Sequence, residues 1–149
     1  MALPCACVVY PRTPADRMRA ILLISLMFPL TALADHYDRI LDAIAKVETG
    51  ISPDAVGRRG ERSRFQIMPA TWVRFSEENQ QSASLAETIR VARRVLAEIE
   101  TVHRRRGQRV DAYGLALGWN AGPWARRYSG ATLDYAERVE ALSLLSQQG

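Results

Sequence analysis

One glutamate stands at an unusual place, near the end of a segment that is predicted to be helical. Glu48 lies two residues before Gly50, and glycine commonly terminates helices. The partial negative charge at a helix C-terminus disfavours a carboxylate there. Three apolar residues precede Glu48 on the same helical face: Tyr37, Leu41 and Ile44. Burial and the helix dipole both raise the pKa of a carboxyl group, so Glu48 is either a proton donor or a surface acid in a frayed last turn.

Three later segments, together with Ala45–Gly50, form a pattern that is typical of one enzyme family. They are Phe65–Thr71, Leu117–Pro123 and Tyr135–Val139. In this order and spacing, the four segments resemble the soluble lytic transglycosylase domain of the lysozyme-like superfamily. The resemblance covers roughly Asp38–Leu142. It implies a mainly α-helical, lysozyme-like single domain with a short loop or small β-hairpin after the first helix.

The sequence departs from the family's pattern at three places. Thr49 follows the glutamate where the family usually has serine, and it keeps the hydroxyl group. Ser-Arg-Phe at 63–65 replaces the usual Gly-Leu-Met, which changes the predicted wall of the groove. Trp119 replaces the usual tyrosine before Asn-Ala-Gly, so a phenol hydroxyl is lost. None of these changes removes the acid.

The resemblance implies a peptidoglycan lytic transglycosylase in which Glu48 is the single general acid and base. Such enzymes cleave the β-1,4 bond between N-acetylmuramic acid and N-acetylglucosamine. The C6 hydroxyl of the muramic sugar attacks its own C1, so the product carries a 1,6-anhydromuramic end, and no water or cofactor is used. The hydroxyl group of Tyr135 is expected to approach Glu48, although core packing would also explain this tyrosine.

Five residues are predicted to bind substrate: Thr49, Gln66, Trp119, Asn120 and Tyr135. Amides hydrogen-bond acetamido and hydroxyl groups without adding charge, but Gln66 and Asn120 can also satisfy a loop or cap a helix. The hydroxyl group of Thr49 can instead bond carbonyl groups of its own helix. Of the other two tryptophans, Trp72 is predicted to lie in the core and Trp124 is a further candidate for stacking on a sugar.

Two other functions stay open. A hydrolytic muramidase would release a reducing end and would need a second carboxylate to hold a water molecule. Asp54 and Glu61 are the candidates in the loop, and we expect both to be solvated surface acids. A glycan-binding module without catalysis is the other alternative. The intact Glu48 argues against this module, whereas the altered neighbours Arg64 and Trp119 favour it.

The spacing of apolar residues predicts that nearly all of the chain after residue 35 is helical. Helices are expected at about 37–49, from Pro69, from Ser82 or Ser84 to near Gly107, at 111–120 and at 134–145, with a loop at 50–66. The long third helix carries an apolar stripe: Leu85, Ile89, Ala92, Leu96, Ile99 and Val102. The last helix places Tyr135, Val139 and Leu142 on one face.

The composition is that of an ordinary globular domain. The chain has 149 residues, of which 48% are hydrophobic, and a formal net charge of +4. The basic run at 103–106 invites a nucleic-acid interpretation, but cations at a helix C-terminus complement the dipole, and we favour that explanation. No spacing indicates a metal site. The resemblance implies that the partners are peptidoglycan strands and an envelope-spanning secretion, conjugation or phage assembly, and the chain is expected to be a monomer.

The N-terminal segment has the features of a secretory signal peptide. A basic flank precedes the apolar run at 21–31, and Ala32-Leu33-Ala34 matches a cleavage site. The prediction is a signal peptide with an upstream extension at 1–34 and a mature domain at 35–149, located in the periplasm or cell envelope. A membrane anchor is the alternative, and Met18 is a second candidate start. Cleavage removes both cysteines and lowers the formal net charge from +4 to +2.

Secretion is expected to leave Asp35 as the first residue, because small residues occupy the third and first positions before the bond between 34 and 35. The mass of the protein recovered from the cell envelope measures this directly. An uncleaved chain in the membrane fraction would indicate an anchor instead.

Overall fold

The computed structural model describes residues 36–146. Five α-helices account for most of this region: α1 (36–49), α2 (Pro69–Phe75), α3 (Leu85–Arg105), α4 (Ala112–Ala121) and α5 (Gly130–Leu145). Over these residues there is no β-strand, and the expected hairpin is reduced to isolated antiparallel bridges from Arg62 to Val56 and to Ile67. The mainly α class is therefore confirmed. The predicted signal peptide and its cleavage site lie outside the described residues.

Helix α1 buries the stripe that leads to Glu48. Tyr37, Leu41 and Ile44 are at most 8% exposed, and they belong to the main hydrophobic core. The helix ends as predicted at Gly50, whose φ of +60° is readily adopted only by glycine. Packing of the apolar stripe thus holds Glu48 at the edge of the core.

Helix α3 begins one residue after Ser84, whose Oγ accepts a hydrogen bond from the backbone nitrogen of Glu87 at 3.1 Å. Most of its predicted apolar stripe is buried, but Leu85 is 53% exposed, so its assignment to the core was wrong. The inward positions of the first turn are Glu87 and Thr88 instead. Both find polar partners there, since Glu87 bonds Ser76 and Thr88 bonds the Ser84 carbonyl.

Helix α4 packs between α3 and α5 and is buried over residues 114–118. An apolar surface on all sides is typical of a helix in the middle of a core. Asp111 caps it by accepting a hydrogen bond from the nitrogen of Gly114 at 2.9 Å. Gly118 lets α3 approach closely, because a Cβ atom there would overlap the side chain of Ile99. The end of α4 carries Trp119 and Asn120 out of this packed region.

Helix α5 begins at Gly130, four residues before the predicted start at Asp134. The reason is a cap: Ser129 Oγ accepts a hydrogen bond from the nitrogen of Thr132 at 3.2 Å. Tyr135 and Val139 are buried as predicted, and Leu142 is partly buried. None of the described helices combines the length and the apolar composition that crossing a bilayer requires.

Gly118→Ala is expected to destabilise the domain, since the new methyl group would overlap Ile99 and lie 3.1 Å from His103 Nε2. Overpacking of a core costs about 1–3 kcal/mol, which thermal unfolding detects as a fall in Tm of several degrees. Gly130→Ala is the matched control, because its Cβ atom would meet open space. Its Tm should be unchanged or slightly higher. Equal Tm values for the two variants would contradict the close contact between α3 and α4.

Candidate active site

A cleft of about 410 Å³ opens where the end of α1, the following loop and the end of α4 meet. Four of the predicted site residues line it: Glu48, Gln66, Trp119 and Asn120. They come from three segments that are far apart in the sequence. The packing of α1, α3 and α4 therefore brings the predicted acid, amides and indole to one place.

The carboxyl group of Glu48 is half-buried at the wall of this cleft. Burial raises its pKa above the ordinary value for a glutamate, because a low-dielectric surrounding disfavours the charged form. A hydrogen bond from Tyr135 lowers the pKa, and the nearby carboxylate of Glu61 raises it again. The net direction is upward, which is what a carboxylic proton donor requires.

Tyr135 holds one oxygen of the Glu48 carboxyl group. Its hydroxyl group donates to Glu48 Oε1 at 2.8 Å and so joins α5 to α1. Burial, followed by the charge of Glu48, raises the pKa of Tyr135, so the phenol stays neutral and remains a donor. Tyr135 is also only 8% exposed, so it both packs in the core and orients the acid. Glu48 Oε2 makes no hydrogen bond within residues 36–146 and is left for a ligand.

Glu61 lines the same cleft, and its expected assignment as a solvated surface acid was wrong. Its side chain is 13% exposed, and its oxygens accept hydrogen bonds from the backbone nitrogen and the Nε of Arg59 at 2.8 and 3.0 Å. Backbone N–H groups of Glu61 itself and of Arg59 lower the pKa of this carboxyl group. Asp54 is exposed and lines a different hollow. The cleft therefore contains one acid with a raised pKa and one with a lowered pKa.

The loop that carries Glu61 and Gln66 has a strained backbone. Ile51, Ser63 and Gln66 have positive φ values of 72°, 71° and 49°, a region that costs on the order of 1–3 kcal/mol for such residues. Paired hydrogen bonds between Arg62 and Ile67, at 3.1 and 3.0 Å, hold the loop in this conformation. Strain of this kind concentrates at functional sites, where the surrounding structure over-determines the backbone.

Gly57 lies against the side chains of Glu61 and Gln66. A Cβ atom there would be 2.5 Å from Glu61 Oε2 and 2.6 Å from Gln66 Oε1, so only glycine leaves these oxygens in place. Gln66 Nε2 donates to the carbonyl groups of Ser63 and Ala55 at 2.9 and 3.1 Å. The amide nitrogen of Gln66 therefore stabilises the loop, while the residue as a whole lines the cleft.

Thr49 directs its hydroxyl group to the backbone. Thr49 Oγ1 lies 3.3, 3.4 and 3.2 Å from the carbonyl oxygens of Ala45, Ser52 and Arg64. The contact with Ala45 agrees with the alternative in which Thr49 bonds its own helix, and the contacts with Ser52 and Arg64 tie the end of α1 to the loop. Its predicted contact with substrate stays a prediction, and the geometry gives it no support.

Asn120 is oriented by a residue that the sequence pattern did not single out. Thr132 Oγ1 donates to Asn120 Oδ1 at 2.9 Å and lies 3.0 Å from Ser129 Oγ. The amide nitrogen of Asn120 makes no hydrogen bond within the described chain, so it is available as a donor at the cleft. The sequence does contain a signal for Thr132, because Ser129 and Thr132 have the spacing of a helix cap. This cap lies before the predicted helix start at Asp134.

The three tryptophans differ in exposure. Trp119 is half-buried and lines both the cleft and an adjoining hollow of about 70 Å³. Trp72 is 2% exposed, which confirms its place in the core, and its Nε1 donates to the carbonyl oxygen of Glu78 at 2.7 Å. Trp124 is 66% exposed on the loop after α4. Only Trp119 of the three is among the residues that line the Glu48 cleft.

Two substitutions are expected to move the titration of Glu48 in opposite directions. Tyr135→Phe removes a hydrogen bond that favours the carboxylate, so the pKa of Glu48 should rise. Glu61→Gln removes a negative charge that disfavours the carboxylate, so that pKa should fall. NMR of ¹³C-labelled glutamate carboxyl groups measures both shifts, and Glu48→Gln identifies the resonance. Shifts of the same sign in the two variants would contradict this description of the site.

Comparison with models of known protein families finds no match for the chain, and a search of curated proteins finds none either. Over residues 36–146, no cluster of three or more histidine, cysteine or acidic side chains could hold a metal ion. The cleft thus brings together a carboxyl group with a raised pKa, a second carboxyl group with a lowered pKa, two amides and an indole.

Proposed function

We propose that the chain is a lysozyme-like lytic transglycosylase that cleaves the glycan strands of peptidoglycan. The observation that carries the proposal is the state of the Glu48 carboxyl group. It is half-buried with a raised pKa, Tyr135 holds one oxygen, and the other is free at a cleft that amides and an indole line. These lining groups suit acetamido and hydroxyl groups of a sugar polymer.

The proposed reaction needs only one carboxyl group from the protein. Glu48 donates its proton to the glycosidic oxygen as the bond from that oxygen to C1 of the muramic sugar breaks, which leaves an oxocarbenium-like centre at C1. The C6 hydroxyl oxygen then bonds to C1, and its proton passes to the Glu48 carboxylate. The substrate supplies the nucleophile, the acid is regenerated, and a 1,6-anhydro ring forms without water.

The hydrogen bonds of Glu61 favour this one-carboxylate mechanism. Each of its oxygens already accepts one hydrogen bond from Arg59, so part of its capacity to accept is used within the loop. Its negative charge instead helps to keep Glu48 protonated. Glu61 is thus a positioning residue that acts through the acid.

A hydrolytic muramidase is the second candidate, because one observation favours it. Glu61 lines the same cleft as Glu48, and the two pKa values are pushed apart, as in glycosidases that pair an acid with a carboxylate. In that mechanism Glu61 would bind the attacking water or form the covalent intermediate. The products of digestion separate the two candidates, since hydrolysis leaves a reducing end and the transglycosylase leaves an anhydro end.

The proposed setting is the periplasm or the cell envelope. It follows from the predicted signal peptide and from the location of peptidoglycan. An envelope-spanning secretion, conjugation or phage assembly is the proposed larger partner, by analogy with small domains of the family.

Glu48→Gln is expected to lower lysis of purified peptidoglycan by at least about 10²–10⁴-fold, because glutamine cannot donate the proton. The variant should stay folded. When folding raises the pKa of a carboxyl group, the folded protein loses stability as the pH rises from the pKa in the unfolded state to the pKa in the folded state. Glutamine does not titrate, so the Tm of Glu48→Gln at neutral pH should equal or exceed that of the wild type. Lysis within tenfold of the wild type would exclude Glu48 as the acid.

Mass spectrometry of the digestion products provides the matching chemical test. Anhydro-muropeptides are expected from the wild type, and Asp54→Asn and Glu61→Gln should both retain most activity. Reducing products, together with a folded Glu61→Gln that is as inactive as Glu48→Gln, would establish the muramidase instead. Asp54→Asn serves as the charge-matched control, because Asp54 is exposed in a different hollow.

A further inference from the structure

Two segments outside the cleft place four arginines and a tryptophan at one end of the domain. Arg105 and Arg106 end α3, and Arg126 and Arg127 lie between α4 and α5. Arg106 Nη1 donates to the carbonyl oxygen of Ala125 at 3.4 Å, which joins the two segments. Trp124 precedes this contact and is 66% exposed. We call these five residues the arginine–tryptophan patch.

Within the part of the chain that the structure describes, the arginines of the patch differ from their neighbours in having no carboxylate partner. Arg104 pairs with Glu100, and Arg109 pairs with Asp111 and Glu140. Within residues 36–146, no ion pair involves any of the four patch arginines. The segments 105–108 and 122–130 also contain no acidic residue. The patch is therefore a concentration of uncompensated positive charge.

Helix electrostatics explain only half of this charge. Arg105 and Arg106 lie at the C-terminus of α3, where cations are favourable. Arg126 and Arg127 lie beyond the last turn of α4 and just before Ser129, which caps α5. The start of α5 carries partial positive charge and has no acidic residue in its first turn, so neither helix end gains from these two cations. An external anion would account for them.

The exposed indole of Trp124 beside these arginines favours one kind of anion. An indole that protrudes from the surface exposes apolar area that a soluble polyanion does not cover. Proteins that bind a nucleic-acid strand combine a positively charged groove with several aromatic side chains on which successive bases stack, whereas the patch contains one exposed indole. The interface of a phospholipid bilayer accepts both groups, since indoles lie at headgroup level and arginines bind phosphate oxygens.

We propose that the arginine–tryptophan patch docks the domain on a membrane surface rich in anionic phospholipid. The inference goes beyond the proposed function and does not depend on the chemistry of Glu48. Trp124 lies four residues after Asn120, so their Cα atoms are at most about 14 Å apart. A docked patch would therefore hold the Glu48 cleft close to the headgroups.

Binding of the full chain to lipid vesicles tests the proposal. Cosedimentation compares phosphatidylcholine vesicles that contain phosphatidylglycerol with vesicles of phosphatidylcholine alone. The vesicles of phosphatidylcholine alone are the control, because they measure any binding by the apolar N-terminal segment. Each arginine near an anionic surface contributes roughly fivefold in affinity, so Arg126→Gln combined with Arg127→Gln should weaken binding to the anionic vesicles by roughly 25-fold. Arg39→Gln combined with Arg94→Gln removes the same charge elsewhere and should have little effect. Thermal melting of every variant establishes that it is folded.

Fluorescence gives an independent readout of the same surface. Trp72 is buried and Trp119 is half-buried, so a blue shift on binding to anionic vesicles is expected to come from Trp124 and to disappear in Trp124→Phe. Equal affinity of the two double variants, or equal binding to both kinds of vesicle, would overturn the proposal. Binding without a Trp124 shift, displaced by a single-stranded oligonucleotide, would identify a nucleic-acid surface and would also overturn it.

Discussion

The hydrogen bond from Tyr135 to Glu48 is the interaction on which the candidate site depends. It joins the first and last described helices over 2.8 Å, and α5 is itself packed on α4. The carboxyl group is only partly buried, because one oxygen has Tyr135 as its polar partner and the other is open to the cleft. A fully solvated Glu48 would ionise, and a fully buried one could not reach a glycan. The helical core therefore sets the chemistry of this carboxyl group.

The loop after α1 completes the site at a cost in stability. Three non-glycine residues adopt left-handed backbone conformations there, which folding tolerates because the Arg62–Ile67 pairing and the side-chain contacts of Glu61 and Gln66 hold the loop. Glu61 and Gln66 both lie against Gly57. These contacts hold the side chains of the cleft wall in place without a ligand, which is the arrangement that lowers the ordering cost of binding.

Both of the proposed functional surfaces contain charges that the dipole of the adjacent helix disfavours. Glu48 lies at the C-terminus of α1, and Arg126 and Arg127 precede the N-terminus of α5. In contrast, Arg104 is explained by its helix end and by its ion pair with Glu100, so it requires no ligand. The comparison therefore separates charges that a helix end or an ion pair stabilises, such as Arg104, from charges that only a proposed ligand or reaction would explain.

The sequence by itself determined the mainly helical class and the helix boundaries near Gly50, Pro69 and Ser84, and it made Glu48 the candidate acid. Caps, breakers and apolar spacing act over a few residues, so they can be recognised without the fold. Only the tertiary structure decided that Glu61 lies within the cleft, that Leu85 is exposed and that Thr132 orients Asn120. These outcomes depend on which distant segments pack together, because burial and hydrogen bonding are properties of the surroundings and not of the residue type alone.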